Sequence, residues 1–189
     1  MIITISGTAG SGKSSIAKIL VEKLKAKRIY VGGMRRKLAK EMGMTLLELN
    51  EYAKTHKETD VDVDKKAATE ARLIQGNVVV EGRTMFHFLP ESVKVFVKSS
   101  PDEAAKRIWK DLQNKKARLE RNEGRVHSLQ EMYTDVIRRD SEDAKRFSKY
   151  YGIDHRDESN YDFVLDTTQL TIKQGVDKVM KFIEQTEVN

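Results

Sequence analysis

Cysteine is absent from this 189-residue sequence, proline occurs only twice, and aromatic residues make up only 7% of it. The absence of cysteine excludes disulfide bridges, thiolate metal sites and a cysteine nucleophile. No linker rich in proline, glycine or serine divides the chain, and no internal repeat is visible. The length therefore predicts one domain with a sizeable hydrophobic core.

Long apolar runs are missing as well. None approaches the roughly 18 residues that a membrane-spanning helix needs. The first residues, MIITIS, also lack the basic region and the long apolar stretch of a signal peptide. We therefore expect a cytoplasmic protein without a membrane partner. The net charge of +6 predicts an anionic partner, and nucleotides, RNA and phosphorylated metabolites all satisfy it.

Short β-branched or apolar runs alternate with segments of helical periodicity along the chain. The runs predicted as strands are 2–6, 28–31, 77–81, 93–98 and 163–166. The helices are predicted at 14–25, 34–42, from 45, at 63–75, from 100, at 128–151 and from 171. This alternation predicts a three-layer α/β fold with a parallel sheet of about five strands.

The segment Gly7–Ser14 reads GTAGSGKS and matches the pattern G-x-x-x-x-G-K-S/T in full. A strand is predicted before it and a helix after it, which is the context that this phosphate-binding loop requires. Its glycines let backbone N–H groups curl around phosphate oxygens, its lysine meets the β- and γ-phosphates, and its serine hydroxyl is a ligand for Mg²⁺. We therefore predict a site for ATP and Mg²⁺. Its residues are Gly7, Thr8, Ala9, Gly10, Ser11, Gly12, Lys13, Ser14 and Ser15.

Other features narrow the kind of P-loop protein. The chain contains neither the Asn-Lys-x-Asp pattern that selects guanine nor the Asp-x-x-Gly pattern of a GTPase switch. A motor or a helicase would need a far longer chain. A short P-loop protein without regulatory segments is most often a small-molecule kinase.

A second informative segment, VVVEGR at positions 78–83, places polar residues at the end of a predicted buried strand. Ligands bind at this end of the strands in open α/β sheets. Glu81 could hold Mg²⁺ through water, and Arg83 could clamp the phosphate of an acceptor. The other interpretation is a strand-end turn with a surface arginine.

A third segment, RRDSEDAKR at positions 138–146, lies in a predicted helix. Arg139, Asp143 and Arg146 are spaced i, i+4 and i+7, so they share one helical face. Two guanidinium groups beside a carboxylate could recognise a base and a phosphate. They could equally form a solvated salt-bridge ladder, which is the commoner arrangement on an arbitrary helix.

Taken together, the motifs GSGKS, VEGR, RRDxxDxxR and FVLDTT resemble those of the cytidylate kinases. The stretch from Tyr150 to Thr167 is similar to the short, archaeal-type branch of that family of P-loop nucleoside monophosphate kinases. The resemblance covers essentially the whole chain, in order. It implies transfer of the γ-phosphoryl group of MgATP to CMP, and also to dCMP, by an enzyme that we expect to be a monomer.

The resemblance also implies an internal organisation of the single domain. A core that carries the P-loop would comprise residues 1–31, 76–116 and 128–189. A helical region that closes over the monophosphate would comprise about 32–75, and a short lid over ATP about 117–127.

Residue roles follow from the same resemblance. Arg36 and Arg83 would grip the acceptor phosphate, Arg139 and Arg146 would contact the phosphates and the nucleotide, and Asp143 would accept a hydrogen bond from the cytosine amino group. Arg107 would lie near the ATP base and phosphates. The residues predicted as catalytic, because they would neutralise the transferring phosphoryl group, are Lys13, Arg83, Arg107 and Arg139. Glu81, through water, and Ser14 would hold the metal.

The sequence departs from the family pattern at two places in the acceptor region. Gly33 and Arg35 stand in GGMRR, where relatives usually show Gly-Asp-x-x-Arg, so a carboxylate is lost. Thr84 follows Arg83 where bacterial members carry an aspartate.

Two other functions compete with this interpretation. Another small-molecule kinase of the adenylate, dephospho-coenzyme A or shikimate type could act on a hydroxyl acceptor with Asp60, Asp62 or Asp64 as the base. A nucleotide-dependent ATPase associated with RNA or the ribosome would fit the basic charge. We do not expect a nucleic-acid partner, because no stripe of aromatic and basic residues for stacking bases is visible.

Overall fold

The protein is described by a computed structural model over residues 1–114 and 126–187, and five strands of these residues form one parallel sheet. The strands are β1 (Ile2–Gly7), β2 (Lys27–Tyr30), β3 (Val78–Glu81), β4 (Val93–Lys98) and β5 (Phe163–Asp166). Their order across the sheet is β2-β3-β1-β4-β5. The three-layer α/β fold with five parallel strands is therefore confirmed.

Helices cover both faces of this sheet. They are α1 (Lys13–Lys23), α2 (Val31–Glu41), α3 (Leu46–Tyr52), α4 (Glu58–Leu73), α5 (Met85–Phe88), α6 (Pro101–Leu112), α7 (Leu129–Tyr151) and α8 (Ile172–Glu187), with a 3₁₀ turn at Glu158–Asn160. One core cluster packs α1 and α8 against the strands, and a second packs α4 and α5 against them. Because both faces of the central strands are buried, β1 and β3 do not alternate between buried and exposed residues.

The predicted helix starts are confirmed where a capping residue marks them. Thr45 and Glu48 form a reciprocal capping box at the start of α3. Ser100 accepts a hydrogen bond from the third backbone N–H of α6 at 3.3 Å, and Ser128 accepts the equivalent bond of α7 at 3.1 Å. Among the described residues, no helix is long and apolar enough to cross a membrane.

Two predicted boundaries are wrong. Helix α2 begins at Val31, so Gly32 and Gly33 lie in its first turn instead of ending a strand. Helix α4 begins at Glu58, five residues before the predicted start at 63, and its first turn carries acidic side chains that suit the positive end of a helix. The short helix α5 was not predicted. Of the expected lid at 117–127, residues 117–125 lie outside the described residues.

The order of the strands determines what surrounds the P-loop. Strand β1 ends at Gly7 and pairs with β3 on one side, where Ile5 is the partner of Glu81. On its other side it pairs with β4, where Gly7 is the partner of Val97. Parallel strands bring their carboxyl ends to one edge of the sheet, so Glu81 lies beside the loop that follows β1.

A comparison of two glycines with nearly equal φ angles tests how tightly the P-loop packs. Gly10 has φ +70° and Gly43 has φ +69°, so an alanine at either position costs about 1–2 kcal/mol in the left-handed region. A Cβ at Gly10 would also lie 2.7 Å from the Ala104 carbonyl oxygen, whereas nothing lies within 4 Å of a Cβ at Gly43. We expect Gly10→Ala to lower the free energy of unfolding by about 1–3 kcal/mol more than Gly43→Ala does. Urea denaturation of both variants measures the difference, and equal losses would contradict the close packing.

Candidate active site

A cavity of about 710 Å³ opens at the carboxyl edge of the sheet, between the P-loop and helices α2, α4, α6 and α7. Nine basic side chains of the described residues line it: Lys13, Lys18, Arg28, Arg35, Arg36, Arg83, Arg107, Arg139 and Arg146. Six acidic side chains join them: Asp60, Asp64, Glu81, Glu103, Asp111 and Asp143. The wall is therefore net positive, as expected for a site that takes anionic ligands.

The P-loop is held in a closed curve by its own hydrogen bonds. The Thr8 carbonyl accepts a bond from Ser11 Oγ at 2.9 Å and another from Lys13 Nζ at 3.0 Å. The Thr8 N–H donates to the Val97 carbonyl at 3.2 Å, which ties the loop to β4. A Cβ at Gly7 would overlap that same carbonyl, so only glycine fits there. This is the cradle that the motif predicted for the phosphates of ATP.

Thr167, at the end of β5, fastens the loop from the other side. Its hydroxyl lies 2.8 Å from the Ser11 carbonyl oxygen and accepts a hydrogen bond from Arg107 Nη1 at 3.0 Å. Arg107 also donates to the Thr167 carbonyl at 2.8 Å and to Glu103 at 2.8 Å. Arg107 is thereby fixed beside the P-loop. The sequence motif FVLDTT contained Thr167, but no role for it had been predicted.

An oxygen pair lies beside the loop, where Ser14 Oγ donates to one carboxylate oxygen of Glu81. Arg28 Nη2 binds the other oxygen, and Glu81 is only 1% exposed. Mg²⁺ prefers hard oxygen ligands and keeps several waters, so it needs only one or two protein ligands when phosphates supply the rest. A hydroxyl next to a carboxylate therefore fits a Mg²⁺ ion that arrives with the nucleotide. Within the described residues, no group of three or more acidic or histidine side chains forms a metal cage.

The cations nearest the P-loop repel one another. Burial, and next the charge of Arg83, lower the pKa of Lys13 to about 7, although Glu81 partly opposes the shift. Burial and the neighbouring Arg139 likewise lower the pKa of Arg83. Arg36 and Arg139 also contribute repulsion at Lys13. A set of positive groups that disfavour one another gains most from an anion placed among them, and phosphate is such an anion.

The helical face of α7 is buried rather than solvated. Asp143 and Arg146 are each 5% exposed, and Arg146 Nη2 donates to Asp143 at 2.6 Å. Asp143 also forms an ion pair with Arg83, whose side chain is 13% exposed. The interpretations of a solvated ladder and of a surface arginine are therefore both wrong. The structure brings these three predicted residues together in the wall of the cavity.

A second layer of polar residues supports this face. Of its members, Asp60 and Asp64 were considered from the sequence only as possible bases. Arg146 Nε donates to Asp60 at 2.6 Å, and Arg35 pairs with the other oxygen of Asp60. Asp64 accepts hydrogen bonds from Thr84 and from Tyr151, both at 2.8 Å. Burial raises the pKa of the Asp64 carboxyl.

Two further residues, Arg28 in the cavity wall and His155 outside it, were not singled out in the sequence. Nothing distinguishes Arg28 from an ordinary surface residue of an edge strand until its partner Glu81 is known. His155, in the turn that follows α7, is fully buried against Phe147 and lies 3.5 Å from Asp140.

The site combines a P-loop, an oxygen pair beside it and a cationic wall on a parallel α/β sheet. These features define a P-loop kinase. Residues 3–127 match the family model described as an AAA domain. The chain is 37% identical over 179 residues to a cytidylate kinase of Methanocaldococcus jannaschii, with 92% of each chain covered. It is 34% identical over 183 residues to a cytidylate kinase of Pyrococcus horikoshii, covering 96% of this chain and 86% of that one. The chain belongs to the cytidylate kinase family.

A solved structure agrees with the fold. The shikimate kinase from Bacteroides thetaiotaomicron superposes with a TM-score of 0.62 over 97% of this chain and 98% of that chain. At 15% identity this similarity concerns the architecture alone.

Thr167 offers a test of the way the P-loop is anchored. Thr167→Val keeps the shape of the side chain but removes the hydroxyl that lies at the Ser11 carbonyl and accepts from Arg107. We expect the dissociation constant for ATP to rise about tenfold and the free energy of unfolding to fall by about 1–3 kcal/mol, because buried groups lose a partner. Calorimetric titration and urea denaturation measure the two effects. Thr186→Val, which removes an exposed helix hydroxyl, is the matched control, and unchanged ATP affinity in Thr167→Val would refute the anchoring role.

Proposed function

We propose that this protein transfers the γ-phosphoryl group of MgATP to the α-phosphate of CMP, and also of dCMP, giving CDP and ADP. One observation carries the proposal: a single cavity joins a complete P-loop to a buried Asp143–Arg146 pair through a wall of arginines. Membership of the cytidylate kinase family supports the same reaction. We infer that the enzyme works as a cytoplasmic monomer, without a membrane or a nucleic acid as partner.

At the donor end, the P-loop would hold the triphosphate of ATP through its backbone N–H groups, with Lys13 on the β- and γ-phosphates. Arg107, held by Thr167 and Glu103, lies beside the loop and would contact the same nucleotide. Ser14 directly and Glu81 through water would hold Mg²⁺, which when bound neutralises charge on the phosphate oxygens.

At the acceptor end, the attacking group is a phosphate oxygen of CMP. This oxygen already carries negative charge, so the reaction needs no general base. Catalysis then consists of positioning the two phosphates and neutralising the charge that spreads over the transferring group. Arg36, Arg83 and Arg139 line the cavity. Their guanidinium groups would position the acceptor phosphate and neutralise this charge. A guanidinium group suits the task because it can bind phosphate oxygens in a bidentate manner.

Asp143 would choose the base. Its carboxylate only accepts hydrogen bonds, so it favours cytosine, which presents an amino group where uracil presents a carbonyl oxygen. Arg146 holds one carboxylate oxygen at 2.6 Å and is itself held by Asp60. The second oxygen pairs with Arg83. A base that binds there would therefore release Arg83 toward the acceptor phosphate.

The geometry disfavours a hydroxyl acceptor. Of the carboxylates considered as a base, Asp60 already binds Arg35 and Arg146, and Asp64 binds Thr84 and Tyr151. Asp62 is exposed. Because it neutralises two arginines, Asp60 is a poor proton acceptor, and Asp64 already accepts hydrogen bonds from two hydroxyl groups.

The activity is tested with an ADP-release assay that contains MgATP and one of CMP, dCMP, UMP, AMP, GMP or shikimate. We expect rapid turnover with CMP and dCMP only, and nearly none in the folded variant Lys13→Met, which loses the charge at the phosphates. Turnover with a different acceptor would overturn the assignment of CMP but leave the P-loop assignment intact. ATP hydrolysis that no acceptor stimulates would overturn the kinase function.

The role of Asp143 is tested by exchanging its carboxylate for an amide. In Asp143→Asn the amide N–H₂ can donate to the carbonyl of uracil, so we expect the ratio of kcat/KM for CMP to that for UMP to fall by about 30- to 100-fold, the effect of losing a hydrogen bond to a charged group in a closed site. Asp154→Asn, which alters an exposed ion pair with Arg156, is the control. An unchanged ratio in a folded Asp143→Asn variant would exclude Asp143 as the base-reading residue.

A further inference from the structure

Tyr30, the last residue of β2, lies against two consecutive glycines. A Cβ built at Gly33 would lie 2.7 Å from the Tyr30 ring, and a Cβ built at Gly32 would lie 2.9 Å from it. Both distances are shorter than real side chains tolerate, so the ring has room only because neither residue carries a side chain. The carboxylate that is missing at position 33 therefore leaves the space that the Tyr30 ring occupies.

The same ring connects two arginines of the cavity. Arg36 Nη1 donates to the Tyr30 hydroxyl at 2.7 Å and to the Gly32 carbonyl at 3.0 Å. Arg28 lies over the face of the ring, with its guanidinium carbon 4.6 Å from the ring centre, and it also binds Glu81. Arg28 and Tyr30 share one face of β2 because side chains two apart on a strand point the same way. Tyr30 itself lines the cavity.

We propose that Tyr30 is a positioning residue for the acceptor phosphate, acting through Arg36. A long arginine side chain loses conformational freedom when it binds a ligand, and this loss weakens binding. The hydroxyl of Tyr30 and the Gly32 carbonyl restrict Arg36 before the acceptor arrives, so less freedom is lost on binding. This inference rests on the proposed function, which assigns Arg36 to the acceptor phosphate.

Tyr30→Phe isolates the hydroxyl, because phenylalanine keeps the ring against the glycines and beneath Arg28. We expect the KM for CMP to rise by up to about tenfold, which is the cost of ordering one long side chain on binding. The KM for ATP and kcat should stay within about twofold and the melting temperature should not shift, since the acceptor alone is affected. A merely structural role would change the melting temperature instead. Tyr150→Phe is the matched control, because its hydroxyl donates to the Ala53 carbonyl at 2.6 Å outside the cavity.

A double variant tests whether the effect passes through Arg36. Arg36→Met alone should raise the KM for CMP, and adding Tyr30→Phe should then change it no further. A KM for CMP that does not change in Tyr30→Phe would overturn the proposal. A second tenfold rise in the Arg36→Met background would also overturn it, because Tyr30 would then act independently. If Arg36→Met itself leaves the KM for CMP unchanged, the assignment of Arg36 in the proposed function fails, and the role of Tyr30 falls with it.

Discussion

Several positively charged side chains are partly buried together at the carboxyl edge of the sheet. The arrangement of the rest of the site depends on how their charge is balanced. Desolvation disfavours charged groups, and like charges close together disfavour one another further. The protein offsets part of this cost internally, because Glu81, Asp60 and Asp143 each bind arginines of the cavity. What remains unbalanced suits the phosphates of two nucleotides.

The sheet order converts a local motif into this shared site. A P-loop needs only a strand, a loop and a helix, all of which are local in sequence. The carboxylate beside it comes from β3, which is separated from β1 by four helices and β2. Since β1 lies between β3 and β4, the loop after β1 meets Glu81 on one side and the Val97 carbonyl on the other. Thr167, from the edge strand β5, then closes the loop from a third direction.

Prediction from sequence succeeded where the signals are local. The β-branched runs, the capping residues Thr45, Ser100 and Ser128, and the P-loop pattern gave the strands, three helix starts and the phosphate cradle. It failed where a distant partner decides the outcome. Gly32 and Gly33 fall between the predicted strand and the predicted helix, yet they lie in the first turn of α2 and leave room for the Tyr30 ring. The spacing of residues on α7 gave a common face but could not say whether that face is buried.

The sequence by itself determined the class of fold, the place of the phosphates and the set of arginines available to the site. These depend on backbone periodicity and on short-range patterns, which are local in the sequence and do not depend on tertiary contacts. Only the tertiary structure decided that Arg83 pairs with Asp143, that Arg28 binds Glu81 and that Tyr30 bonds to Arg36. The reason is physical. A charged side chain on a helix or strand is compatible with water or with a buried partner, and burial by other elements of the fold selects between them.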